Sequence, residues 1–174
     1  MMTQLLPKQP VPALSVPTVQ SGDFTLADSQ AENFTLILFY RGLHCPICRG
    51  QLSELQRKLP ELEERGIKAV AISMDSEERA RETAGKWRID ALTLGYGLTE
   101  EQARSFGLYL SDGINDNEPQ RFSEPGLFLV RPDGTLYFGS VQTMPFTRPP
   151  LGELIQGIDY ALEHGYPARG EVAA

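Results

Sequence analysis

The chain is poor in the residues that build metal centres, disulfide frameworks and membrane spans. It has only two cysteines and two histidines in 174 residues. Two cysteines are too few to staple a fold of this length. A structural zinc site needs four ligands, usually two cysteine pairs or a cysteine and a histidine pair. Here a single pair is left with His44 and His164, far apart in sequence, so a metal-binding module is the weakest reading. Positive charge is also scarce: 16 basic residues face 23 acidic ones, a net charge of −7, which argues against a strong attraction to nucleic acid or an anionic membrane. No apolar run approaches the roughly 18 residues of a spanning helix. Residues 1–21 hold four prolines and one lysine around no continuous apolar centre, unlike a signal peptide. We therefore expect a cytoplasmic protein, where a structural disulfide is unusual.

What is present is a core. Hydrophobic residues make up 41% of the chain, enough for one domain and too short a chain for two large ones. We find no internal repeat and no low-complexity segment. We set residues 1–20 apart as a proline-rich extended arm, residues 21–168 as the domain and 169–174 as a loose tail. Phe34–Tyr40, "FTLILFY", reads as a central strand covered on both faces. A helix follows from about Pro46, with Leu52, Leu55, Leu59 and Leu62 at helical spacing, a kink or break at Pro60 and a stop at Gly66. Ile67–Met74 is a second buried strand. Ser76 caps a helix to about Trp87, "ALTLGY" is a short strand, and Thr99 with Gln102 forms a capping box. Ser111–Phe122 is polar and reads as a loop. "GLFLV" and "TLYFGSV" flank a turn at Arg131–Gly134, as antiparallel neighbours do. A last helix runs from Leu151 to His164. The early strand–helix–strand order implies right-handed crossovers and a parallel centre, and the hairpin adds antiparallel strands. The fold class is α/β, a central mixed sheet flanked by helices.

Both cysteines lie in "FYRGLHCPICRG", three residues apart, where a buried strand hands over to a helix. A reactive cysteine must be a thiolate. The free N–H groups and dipole of a helix N-terminus favour that charge at Cys45, and Arg41, His44 and Arg49 lie close in sequence. Cys48, one turn further in, is expected to be more buried. That makes Cys45 the exposed nucleophile and Cys48 the resolving thiol. The competing readings are plain: small buried hydrophobes for the cysteines, surface charges for the arginines, an exposed neighbour for His44, and core for Trp87 and the hairpin aromatics.

The segment "FYRGLHCPICRGQLSELQ" resembles the "YRG-x-W-C-P-x-C-x-x-x-L" pattern of redoxins in the alkyl hydroperoxide reductase/thiol-specific antioxidant family. These are peroxiredoxin-like members of the thioredoxin superfamily. "GIKAVAISMD", "PGLFLVRPDGTLYF" and a C-terminal "YPARG" extend the likeness over most of the chain. The resemblance implies a thioredoxin-like fold and a reversible Cys45–Cys48 disulfide. It also implies a cis-proline at Pro125, packed against Cys45 and pairing its backbone with substrate; Arg41 and His44, close in sequence to Cys45, are the further candidate substrate-binding residues. It implies no cofactor, a thioredoxin- or glutathione-type thiol reductant, a disulfide or hydroperoxide substrate, and it admits a homodimer.

The departures matter. Peroxiredoxins carry P-x-x-x-[ST]-x-x-C, but Leu38 and Gly42 occupy those positions here. The arginine expected near the site aligns with Pro125. The tryptophan that precedes the first cysteine of thioredoxin is replaced by His44, and its buried acid by Phe39. The first reading is therefore thiol–disulfide exchange, with hydroperoxide reduction as the alternative and a redox sensor without turnover behind both.

Overall fold

The computed structural model describes residues 4–20 and 22–174. Residues 1–3 of the expected arm, and residue 21 where its boundary was set, lie outside the described residues. The centre is a five-stranded sheet of order β5-β4-β3-β8-β9. β3 (Phe34–Phe39) and β4 (Ile67–Ile72) are parallel, as are β4 and β5 (Thr93–Gly95). β8 (Gly126–Val130) and β9 (Leu136–Val141) complete the sheet as antiparallel strands, β8 lying against β3. The mixed sheet follows from the connections. A helix between strands permits a parallel crossover, whereas the tight turn after Val130 forces an antiparallel neighbour.

β3 is buried along its whole length because both faces are covered. Leu36 and Leu38 turn toward α1 (Pro46–Arg57), α2 (Leu59–Glu64) and α5 (Leu151–His164), meeting Leu52, Leu55, Leu62, Ile155 and Ile158. Ile37 and Phe39 turn the other way, toward Val16 in β1 (Ser15–Pro17) and Ala103 in α4 (Glu100–Ser105), with Phe106 just beyond. Leu52 and Leu55 are wholly buried, and each such side chain contributes roughly 1.5–3 kcal/mol. β1 pairs with β2 (Asp23–Thr25) outside the main sheet.

The helix ends follow local chemistry. Pro60 breaks the long helical pattern: α1 stops at Arg57 and α2 restarts with Pro60 in its first turn, where a missing N–H costs nothing. Ser76 accepts from the Arg79 N–H to cap α3 (Glu77–Lys86), and the Thr99–Gln102 capping box forms. Gly165 ends α5 with φ of 60°, the left-handed turn that glycine adopts freely. Trp87 packs in the core against Tyr40.

The stretch Ser111–Phe122 departs from the expected loop. β6 (Leu110–Asp112) and β7 (Arg121–Ser123) pair antiparallel at its two ends. Its polar composition concealed a hairpin whose pairing buries Phe122. Tail residue Glu171 forms an ion pair of 3.0 Å with Lys8. Among the described residues no helix is long and apolar enough to cross a membrane.

Candidate active site

The site forms where β3 ends and α1 begins. Gly42 lies in this connection with φ of 138°, and a Cβ there would stand 2.8 Å from both oxygens of Asp75. Only glycine fits so close to a carboxylate in that conformation. The buried Asp75 accepts from the Leu43 N–H at 2.9 Å and from Arg79 Nε at 3.1 Å. The Cys45 N–H donates to the Gly42 carbonyl at 3.1 Å. The turn is thus held from behind by α3, and Cys45 becomes the N-cap of α1 with Pro46 next in line.

At that position the Cys48 N–H donates to Cys45 Sγ at 3.2 Å. The Arg41 N–H reaches Cys48 Sγ at 3.4 Å. A third donor comes from the far end of the chain. Arg148 Nη2 lies 3.2 Å from Cys48 Sγ and 3.7 Å from Cys45 Sγ, straddling the pair. Its other nitrogens are fixed by Gln51 Oε1 at 2.5 Å and the Pro145 carbonyl at 2.7 Å.

The two thiols consequently differ in acidity. Donation from Cys48, first by its thiol and then by its N–H, outweighs burial at Cys45. With Arg148 and Arg41 adding to this, the thiol is drawn from 9.0 down to about 5. Burial pushes Cys48 the other way, and the anionic neighbour Cys45 pushes it further. Cys45 is therefore the more acidic thiol of the two and Cys48 the less acidic. The sequence leads us to expect Cys45 exposed and Cys48 more buried, but both cysteines have 0% accessible surface. An N-cap side chain folds back over its own helix end, and Arg148 lies against both sulfurs.

The other anticipated residues are placed as follows. The Arg41 guanidinium stands 4.8 Å from the centre of the Phe122 ring and forms an ion pair with Glu124 at 2.9 Å. His44 is not the exposed neighbour that its position suggests. Its ring meets Phe122 edge-on at 4.6 Å, and both ring nitrogens are buried with no hydrogen-bond partner among the described residues. Burial, then the adjacent Arg41 charge, lowers its pKa. His164 lies at the end of α5, its Nδ1 3.1 Å from the Tyr160 carbonyl. Pro125 is buried beside β8, but its peptide bond is trans, which corrects the cis form that the resemblance implied. Its carbonyl already accepts from the Gln142 N–H at 3.0 Å. Arg49 points away, toward the Lys86 carbonyl at 3.4 Å.

Arg148 and Glu124 were missed by sequence reasoning. Arg148 lies 103 residues from Cys45, and its one sign is a cation held just before Pro149–Pro150 at the start of the last helix. Glu124 lies between β7 and β8, one residue after Ser123 and two before Gly126, where a buried carboxylate has no pattern to announce it.

A sequence model of the AhpC/TSA family matches residues 7–138, well over half of the chain. The chain belongs to the AhpC/TSA family. No curated protein matches it in sequence, but solved peroxiredoxin structures match it in fold. The reduced 2-Cys peroxiredoxin of Plasmodium vivax superposes with a TM-score of 0.74 at 17% identity, over 93% of this chain and 86% of that one. Peroxidoxin BcpB of Mycobacterium tuberculosis gives 0.73 at 16%, over 91% and 99%. AhpC of Enterococcus faecalis gives 0.73 at 16%, over 98% and 100%. This AhpC/TSA member is a thiol-dependent oxidoreductase of the peroxiredoxin type with a thioredoxin-like fold. Arg148 lies beyond the residues that the family model matches.

Proposed function

We propose that the protein reduces hydroperoxides, with Cys45 as the attacking thiolate and Cys48 as the resolving thiol. The observation that carries this reading is the Arg148 guanidinium across two buried sulfurs of opposite acidity. The Cys45 thiolate attacks the terminal peroxide oxygen; an S–O bond forms as the O–O bond breaks. The leaving oxygen departs as alcohol or water after taking up a proton, and Cys45 becomes a sulfenic acid. Cys48 then attacks Cys45 Sγ. The S–S bond forms, the S–O bond breaks, and hydroxide leaves with the Cys48 proton as water. A thioredoxin- or glutathione-type thiol returns the pair to the dithiol. Charge develops on the leaving oxygen, and fixed donors aimed at that point lower the barrier. Arg148, with Arg41 behind it, takes the place of the donors that Gly42 and Pro125 do not supply.

Thiol–disulfide exchange, the first reading from sequence, is the second here. Its support is the Cys-x-x-Cys spacing with one acidic and one protected thiol. Against it stand the trans Pro125 with its carbonyl engaged and a nucleophile with no accessible surface, an arrangement suited to a small substrate rather than an extended peptide.

Stopped-flow mixing of the reduced protein with hydrogen peroxide and with an alkyl hydroperoxide tests the proposal. Oxidation far faster than a free thiol is expected. It should be lost in Cys45→Ser, and Cys48→Ser should retain it and accumulate a sulfenic acid that a dimedone-type reagent captures. Oxidation at the rate of a free thiol, together with rapid reduction of insulin, would return the assignment to disulfide exchange. Oxidation at that slow rate with no insulin reduction would leave a redox sensor.

A further inference from the structure

Two arginines reach the cysteine pair, and their partners differ in kind. Arg148 is held by the neutral Gln51 side chain and a backbone carbonyl. Arg41 is held by a carboxylate: its Nε lies 2.9 Å and 3.3 Å from the two oxygens of Glu124. That carboxylate is 4% exposed and accepts a second bond, at 3.0 Å, from Ser111 Oγ in β6. Its backbone N–H is tied to the Tyr109 carbonyl at 2.7 Å. Glu124 is therefore fixed from two directions, and the Arg41 backbone N–H that it anchors is the one that reaches Cys48 Sγ. A buried anion beside a reactive thiolate is unfavourable on its own, because like charges in a poorly hydrated site repel. Its place here needs a compensating role.

We propose that Glu124 is a positioning residue for the thiol chemistry, holding Arg41 against the Cys45–Cys48 pair while neutralising part of its charge. This deepens the reading of the site and does not depend on which oxidant it takes. Arg148 then acts as the uncompensated cation and Arg41 as an orienting one. The other charged or titratable groups around the pair are the buried Tyr40, which interacts with Cys48, His44 against Phe122, and Asp75 with Arg79 behind the Gly42 turn. The β6–β7 hairpin also becomes part of the site, since Ser111 supports Glu124 from it.

The sign of one shift separates this role from a purely structural one. Glu124→Gln keeps the shape and a hydrogen-bonding oxygen but removes the negative charge. The Cys45 pKa, followed by thiolate ultraviolet absorbance against pH in the reduced protein, should fall by about half a unit or more as the full Arg41 charge is released. If Glu124 only braced the fold, its loss would loosen Arg41 and raise the Cys45 pKa. A second comparison stands if that variant folds poorly. Arg41→Gln leaves the carboxylate unpaired and should raise the Cys45 pKa, and adding Glu124→Gln should undo most of that rise. An unchanged or raised value in Glu124→Gln, or no recovery in the double variant, overturns the proposal. Thiolate absorbance needs no peroxide, so this result stands apart from the outcome of the peroxidase assay.

Discussion

Replacing Arg148 by Gln removes the one guanidinium that bonds both sulfurs, and the size of the effect can be worked from the geometry. Arg148 Nη2 lies 3.2 Å and 3.7 Å from Cys48 Sγ and Cys45 Sγ. A hydrogen bond to a charged group contributes about 1.5–3 kcal/mol, and one pKa unit corresponds to about 1.4 kcal/mol. The arginine is only half-buried, so water replaces part of what is lost and the lower end applies, about one unit. The Cys45 thiol should therefore move from about 5 to roughly 6. Near pH 6 the thiolate fraction would then fall from about nine-tenths to about half, while at neutral pH it would change little. Titration of the thiolate by ultraviolet absorbance measures the shift. Peroxide oxidation rates at neutral pH separate out any further loss due to missing stabilisation of the leaving oxygen. Arg148→Lys keeps a charge without the fork that holds Gln51 and the sulfurs together and should fall between the two. A Cys45 pKa that stays within about 0.3 unit of the unmodified protein, or that falls, would refute the role given to this contact.

Gly42→Ala places a methyl group 2.8 Å from the Asp75 oxygens at φ of 138°. A loss of about 1–3 kcal/mol is expected, read as a lower denaturant midpoint, and an unchanged midpoint would mean that the turn yields easily. Stability should also depend on pH through Cys45. Its folded pKa of about 5 lies below the reference value of 9.0, so the folded state holds this proton more weakly than the unfolded one. The stabilisation is complete above the unfolded value and is lost as pH falls from about 9 through about 5. Chemical denaturation of the reduced protein across that window should show this slope, and Cys45→Ser should lack it; equal slopes in the two proteins would contradict the assigned thiolate.

The fold was legible wherever burial wrote itself into local pattern. The unbroken apolar run of β3 and the leucine spacing of α1 named the two elements that create the site. Ser76 and the Thr99–Gln102 box marked where helices begin, and Gly165 where the last one ends. The N-cap position of Cys45 followed from the same logic, because a buried strand hands over to a helix there. Three things were not legible. The Arg148 contact with the cysteine pair comes from beyond β9. The Glu124–Arg41 pair joins residues 83 apart. The β6–β7 hairpin is built from polar residues whose alternation is too short to register. The first two depend on contacts between distant segments, which periodicity and spacing do not encode, and the hairpin on three-residue strands too short to show a period.

The burial of Cys45 bears directly on how the departures from the family pattern are to be read. Where a hydroxyl would stand at position 42, a glycine lets Asp75 approach and lock the turn. Where an arginine aligns from sequence, there is Pro125, and the cation instead comes from the segment before α5. The donor is thus relocated rather than absent, and the relocation changes its duties. An arginine held within the sheet would only stabilise charge. Arg148 contacts both sulfurs, so on the proposed reading it would both hold the thiolate and shield it. On the peroxide reading, an oxidant that reaches Cys45 must enter beside this guanidinium, and the N–H groups released from sulfur then face the oxygen that gains charge. Activation of the nucleophile, exclusion of bulky substrates and stabilisation of the leaving group would then rest on one side chain, whose orientation is set by Gln51 and the Pro145 carbonyl.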